Sequence, residues 1–130
     1  MLFSCIAMMH ELQVETREVD DIEILALGGA IEQLNFPTLA GTIGRSMHER
    51  SARIVLDCSN VTYIGSTQLR ELLEFAAYAR TRGGDIKCVG LAPAIRDVAG
   101  LISKNGALDN YDSVLDALAA FRSETAHVTA

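Results

Sequence analysis

"RIVLDCSNVTYIGSTQLRELLEFAAYARTRGGDIKCVGL", Arg53 to Leu91, reads as a strand, a helix and a second strand in succession. Its opening, "RIVLDCSNV", is a short apolar run rich in branched residues, and its shortness favours a buried strand over a helix. From Leu69 the apolar positions Leu69, Leu72, Leu73, Ala76 and Ala77 recur at steps of three and four, one packed stripe of a helix that Gly83-Gly84 closes. "DIKCVGL" then returns to strand character. Two strands separated by a full helix pair in parallel through a right-handed crossover, so the region predicts an α/β fold. The turn Gly65-Ser66-Thr67 falls at the carboxyl end of a strand and the amino end of a helix.

Upstream, "ELQVETRE" (Glu11 to Glu18) alternates through Leu12, Val14 and Thr16, the period-two pattern of a half-buried strand. Asp20-Asp21 breaks it, and "IEILALGG" gives a second strand that stops at Gly28-Gly29, so a hairpin is expected. A weak helix with Pro37 in its first turn follows and runs to about Arg50. Downstream, "APAIRDVAGLI" reads as a short helix, "KNGALDN" as a turn-rich connection, and "YDSVLDALAAF" as a last helix capped by Asp112 or Ser113. A leading hairpin followed by helix-strand alternation predicts one α/β domain with a mixed sheet. The expected boundaries are an N-terminal extension over residues 1–8, the domain over 9–122 and a flexible tail over 123–130, with Met8 or Met9 as alternative starts.

Composition narrows the function. At 130 residues the chain has the length of one domain, and 49% hydrophobic with 22% charged residues is the balance of a soluble globular protein. Eleven basic against 17 acidic residues give a formal charge of -6, which opposes nucleic acid and anionic membrane surfaces. No apolar run reaches the roughly 18 residues a membrane span needs, so no membrane insertion is expected. The opening "MLFSCIAMMH" lacks the basic leader and cleavage site of a signal peptide. Cys5, Cys58 and Cys88 are odd in number and widely spaced, against a disulfide framework or a CxxC site; the cytoplasm is the expected compartment, with Cys58 and Cys88 as buried structural thiols.

For the turn itself, two readings stand side by side. A helix start carries unpaired N–H groups and partial positive charge, so the hydroxyl of Ser66 or Thr67 suits an N-cap. The same position would also tolerate a phosphate, making either hydroxyl a candidate phosphoacceptor. Phosphate-cradling, metalloprotease and nucleophile-elbow motifs are absent, and no cofactor is implied. A Ser-His-Asp site would need Ser66, His48 and Asp57, which nothing in the spacing brings together; Asp57 is read as anchoring the strand end through local hydrogen bonds. If the apolar stripe of the following helix packs on the sheet, Arg70, Glu71, Glu74 and Tyr78 point outward. Ile31, Leu34 and Phe36 form an apolar cluster near the same end, two of them suited to the core and one to a partner.

With those residues in place, the stretch from Arg53 to Ile102 resembles the STAS domain of bacterial anti-sigma factor antagonists. The likeness rests on Leu56, Asp57, Ser59 and Val61, then Tyr63 and Ile64, then Gly65 to Leu69, together with Gly83-Gly84, "VGLAPAIRDV" and "LGGAIE" at Leu27 to Glu32. The resemblance implies a single STAS-like domain with a mixed sheet of four to five strands and helices mainly on one face. It further implies a binding module with no catalysis of its own, whose partner is an anti-sigma factor and serine kinase of the histidine-kinase-like ATPase type. Ser66 would be the phosphoacceptor, with Thr67 second, and partner contacts would come from Gly65, Thr67, Gln68, Arg70, Glu71, Glu74, Tyr78, Ile31, Leu34 and Phe36. Homodimerisation is left open, as is a constitutive role in a transporter or stress-sensing assembly. The chain departs from the family pattern at Gly65, where Asp or Ser is usual, and at Gln68, where Gly is usual; Gln68 is expected to alter partner choice.

Overall fold

A computed structural model describes residues 12–102 and 108–129. The proposed N-terminal extension lies outside the described residues. Strands β1 (Gln13–Val19) and β2 (Ile22–Ile31) form the expected antiparallel hairpin, closed by the pair Val19 and Ile22. Asp20 and Asp21, the two turn residues, have φ of 53° and 67°, the left-handed pair that a hairpin turn of this length requires and that Asp accepts better than most residues. Leu12 and Val14 pack on the core as the alternation predicts, whereas Thr16 is exposed.

Both central strands are longer than their apolar runs. β2 does not stop at Gly28-Gly29 but continues to Ile31, with irregular register between Ala26 and Gly28 and between Gly29 and Ala30. The glycines do not end the strand: pairing continues through them with β3 (Arg53–Ile64), which carries the extra residue at both irregularities. β3 likewise runs past Val61. Its first half pairs on both sides, with β4 (Asp85–Val89) against Arg53 to Asp57. Its second half pairs with β2 alone, which leaves Ser59, Asn60, Thr62 and Tyr63 exposed and explains why the apolar pattern fades there.

The five strands lie in the order β1-β2-β3-β4-β5, parallel except for β1. β5 (Asp109–Tyr111) falls where a turn-rich connection was expected, because three residues are too few to show a period. Helices α1 (Phe36–Glu49), α2 (Ser66–Thr81) and α3 (Pro93–Ile102) cover one face, over Leu25, Leu27, Ile54, Leu56, Ile86 and Cys88. The other face carries Ile22, Ile24, Val55 and Val89 against Ala117, Leu118 and Phe121 of α4 (Val114–Thr129). Helices therefore sit mainly on one face, as expected. On α2 the inward stripe is Leu69, Leu72, Leu73, Ala76 and Ala79, and Ala77 is exposed instead of packed. The helix ends in a Schellman motif: Gly83, with φ of 82°, donates its N–H to Arg80 O and Gly84 donates to Ala79 O. Ser113 Oγ accepts the Asp116 N–H at 3.1 Å as the cap of α4, which continues to Thr129 beyond the apolar pattern that ended near Phe121.

The α4 face holds a buried ion pair, Lys87 with Asp85. Lys87 is completely buried, yet its Nζ lies 2.7 Å from Glu124, 3.0 Å from Asp85 and 3.6 Å from Asp109, with the Phe121 ring centroid at 4.8 Å. Burial pulls the Lys87 pKa down, but the hydrogen bonds to Glu124 and Asp85 and their charges outweigh it and leave the amine raised above its ordinary value. On the opposite face Cys58 and Cys88 are buried free thiols, as expected; a hydrogen bond with Cys58 and burial hold the Cys88 pKa well above normal, so it is a poor nucleophile. Because the raised Lys87 keeps its proton after the unfolded chain has lost it, its stabilisation is complete below a pH of about 10.4 and declines above it. Urea denaturation from pH 9 to 12 should show the wild type losing up to ~1.4 kcal/mol per pH unit above that point. Lys87→Met should lack this component.

Candidate functional site

The carboxyl ends of β2 and β3 meet at the pair Ile31 and Ile64, and the Gly65 N–H donates to Ile31 O at 3.0 Å. This bond ties the start of α2 to the loop that leads into α1. Within that loop Asn35 Oδ1 accepts the Glu32 N–H at 2.9 Å and Asn35 Nδ2 donates to Ala30 O at 2.8 Å, so the backbone between β2 and α1 is pinned from both sides. Open space beyond strand carboxyl ends is where parallel sheets bind ligands and partners.

Neither hydroxyl is the helix cap. Gly65 is the N-cap residue, extended at φ −64° and ψ 148°, and there is no side-chain cap bond; its carbonyl accepts the first helical bond, from the Leu69 N–H at 2.9 Å. Ser66 and Thr67 are the first two helical residues and both are exposed. Their side chains are free for another use, beside N–H groups that have no acceptor within the helix. Ser66, Thr67 and Gly65 line a cleft of about 620 Å³ with Gln33, Phe36, Pro37, Tyr63, Gln68 and Glu71. Phe36, Pro37 and Glu71 also belong to a mainly apolar groove of about 530 Å³ between α1 and α2, completed by Ala40, Glu74, Phe75 and Tyr78. Cleft and groove form one continuous surface along α2.

The structure gathers most of the residues singled out in the sequence and separates the rest. Thr67, Glu71, Glu74 and Tyr78 fall on one stripe of α2 at four-, three- and four-residue steps, facing α1. Tyr78 is 44% exposed; its ring lies 6.4 Å from that of His48 on α1 and 5.8 Å from the Arg82 guanidinium carbon. Arg70 is exposed but lines neither cavity, and Leu34, 76% exposed, projects from the loop outside both. Ile31 and Phe36 belong to the core, with only the edge of Phe36 reaching the cleft. Gln68 is buried at 8% exposure and does not stand out from the first turn. Tyr63, 53% exposed, and Phe75 are additions; the sequence offered Tyr63 as part of the STAS likeness but not as a lining residue.

Ser66, His48 and Asp57 do not converge. His48 lies beside Tyr78 with the two rings tilted by 54°, twelve residues and about 18 Å along α2 from Ser66. Asp57 Oδ1 accepts the Ser59 N–H at 3.1 Å and hydroxyl at 2.7 Å, the local anchoring role read from the sequence.

The family model described as "Mlab, STAS domain" matches residues 4–110, and the chain belongs to the STAS family. BtrV of Bordetella bronchiseptica, which carries the name of an anti-sigma factor antagonist, is 28% identical over 81 residues, 62% of this chain and 70% of that protein. Among solved structures, a Thermotoga maritima chain named in the same way superposes with a TM-score of 0.74 at 20% identity, over 84% of this chain and 94% of that one. The anti-sigma factor antagonist SpoIIAA in its unphosphorylated form gives a TM-score of 0.69 at 14% identity, over 86% of this chain and 98% of that one. These likenesses establish the five-stranded mixed fold of the family. No helix among the described residues is long and apolar enough to cross a membrane.

If Gly65 alone caps α2, Ser66→Ala and Thr67→Ala should each change stability by less than about 0.5 kcal/mol, where loss of a true cap costs about 1 kcal/mol. Urea denaturation of the two variants distinguishes these outcomes.

Proposed function

We propose that this chain is a cytoplasmic anti-sigma factor antagonist, a binding module without catalysis of its own. It docks a kinase-like anti-sigma factor on the α1–α2 surface and is switched off when that kinase phosphorylates Ser66. The observation that carries the reading is the exposed, uncapped Ser66 hydroxyl at the mouth of a cleft continuous with an apolar groove. An acceptor must be reachable by a kinase and dispensable to the fold, and a hydroxyl engaged in capping would be neither.

The charge arithmetic supports the same reading. A phosphate adds about -1.5 to -2 charges, and at the first turn of a helix the unpaired N–H groups and the dipole accommodate it. Docking is another matter. Glu71 lines the same cleft and Glu74 the groove beyond, so a dianion on Ser66 would raise an already acidic rim and would be desolvated under any partner that covered it. The unmodified form binds through Tyr78, Phe75 and Pro37, apolar and aromatic residues of the kind that dominate interface energetics, and the acidic rim favours a partner with basic residues around an apolar ridge.

Incubation of the purified chain with ATP and kinase-like anti-sigma factors from the same genome, followed by intact mass and peptide mapping, tests the switch. Phosphate on Ser66 and release of the partner are expected, with Ser66→Asp lowering affinity at least tenfold while its melting temperature stays within about 2 °C of wild type. A stable complex without phosphate transfer would identify a constitutive subunit of a larger assembly instead.

A further inference from the structure

The cleft beside Ser66 contains one polar group that neither the helix nor the core explains. Gln68 stands in the first turn of α2, where a glutamine would ordinarily reach into solvent, yet it is 8% exposed. It is buried because its side chain turns back across Gly65. A Cβ built on Gly65 would run into Gln68 Oε1 and lie 3.2 Å from Gln68 Cδ, so the carboxamide occupies the space that a side chain at position 65 would fill. Among the described residues this carboxamide makes no hydrogen bond, although it lines the cleft next to Ser66 and Thr67.

A carboxamide held against backbone on one side and open on the other presents two donors and two acceptor sites at a fixed place. A group so placed discriminates sharply. A partner whose main chain pairs with it gains the bonds, and one that covers it without pairing leaves a desolvated amide, which costs more than the bond is worth.

We propose that Gln68 is a specificity-determining residue of this surface, its carboxamide hydrogen-bonding the main chain of the partner protein that docks beside Ser66. The bare Cα of Gly65 is the feature that lets it lie there. The two positions act as one unit: because the obstruction at 65 is the far end of a flexible side chain, a residue introduced there evicts Gln68 without unfolding the turn. Gly65 is extended at φ −64°, a conformation open to any residue, so Ser fits its backbone and can even cap the helix.

The inference rests on the docking surface proposed above, and part of its test needs no partner. In the full chain, the Gln68 side-chain NH₂ should give a heteronuclear NOE like that of the ordered backbone. In Gly65→Ser the NOE should collapse to that of a free side chain while the melting temperature holds or rises. A Gln68 amide that is mobile in the wild type, or unchanged in Gly65→Ser, overturns the pairing. Binding to a kinase-like anti-sigma factor from the same genome should weaken at least tenfold in Gly65→Ser and in Gln68→Ala, and the double variant should bind no more weakly than either. Wild-type affinity in Gln68→Ala, or losses that add, would overturn the specificity role. If no anti-sigma factor binds the wild type, the functional reading and the specificity role fail together, and the NOE still decides the pairing of the two positions.

Discussion

The parallel pairing of β2 with β3 governs the molecule, and the bond from the Gly65 N–H to Ile31 O is where that pairing is handed over to function. Two strands of ten and twelve residues run side by side through two register irregularities, and both end at the same level. Had either stopped where its apolar run stops, α1 and α2 would leave the sheet at different heights and no shared surface would form between them. β3 takes up two extra residues opposite the glycines, and β2 pairs on through Gly28 and Gly29 far enough to meet Gly65. Helix starts, cleft and groove all follow from that common end.

The two faces of the sheet are built by different means. Over β2, β3 and β4 the face under α1 to α3 is filled with aliphatic side chains and the two thiols, close-packed and free of charge. The face under α4 is smaller and includes Lys87, held by carboxylates from its own strand, from β5 and from α4. A buried amine is tolerable only when paired, so this residue does not add much net stability; it demands that Asp85 and Glu124 be present, and so fixes how α4 and the short β5 attach to the edge of the sheet. The three residues of β5 could not hold that position through backbone pairing alone.

What the sequence made legible was whatever repeats. The strand-helix-strand unit from Arg53 to Leu91, the hairpin at Asp20-Asp21 and the inward stripe of α2 are periodic or carry turn chemistry, and each appears in the fold near its expected place. The turn that carries Ser66 and Thr67 was located by that logic, since residues between a buried strand and an amphipathic helix must lie at a strand's carboxyl end; the choice of Ser66 over Thr67 came from the STAS resemblance. The misreadings share a cause: they depend on tertiary pairing or on side-chain direction, which no period encodes. β5 is too short to have a pattern, the glycines of β2 look like an ending but pair on through β3, and the hydroxyls that resemble a cap stand one and two residues inside it. Ile31, Leu34 and Phe36 are equally apolar on paper, and only the fold separates the two in the core from the one in solvent.

Gly65 and Gln68 show the same limit in its sharpest form. Read one at a time, each is a departure from the STAS pattern, a lost polar neighbour at 65 and an obstructing side chain at 68. In three dimensions they compensate, because the side chain missing from one position is replaced by the other's folding back across it. The polar group beside Ser66 is retained, but it arrives from the helix side instead of the strand side, as a neutral amide. A neutral group leaves the charge state of the cleft to Ser66 itself, with Glu71 as its fixed background. Under the proposed switch, a phosphate on Ser66 would add about -1.5 to -2 charges to that background. It falls at the helix start, where the fold is least sensitive to negative charge and an arriving partner most exposed to it.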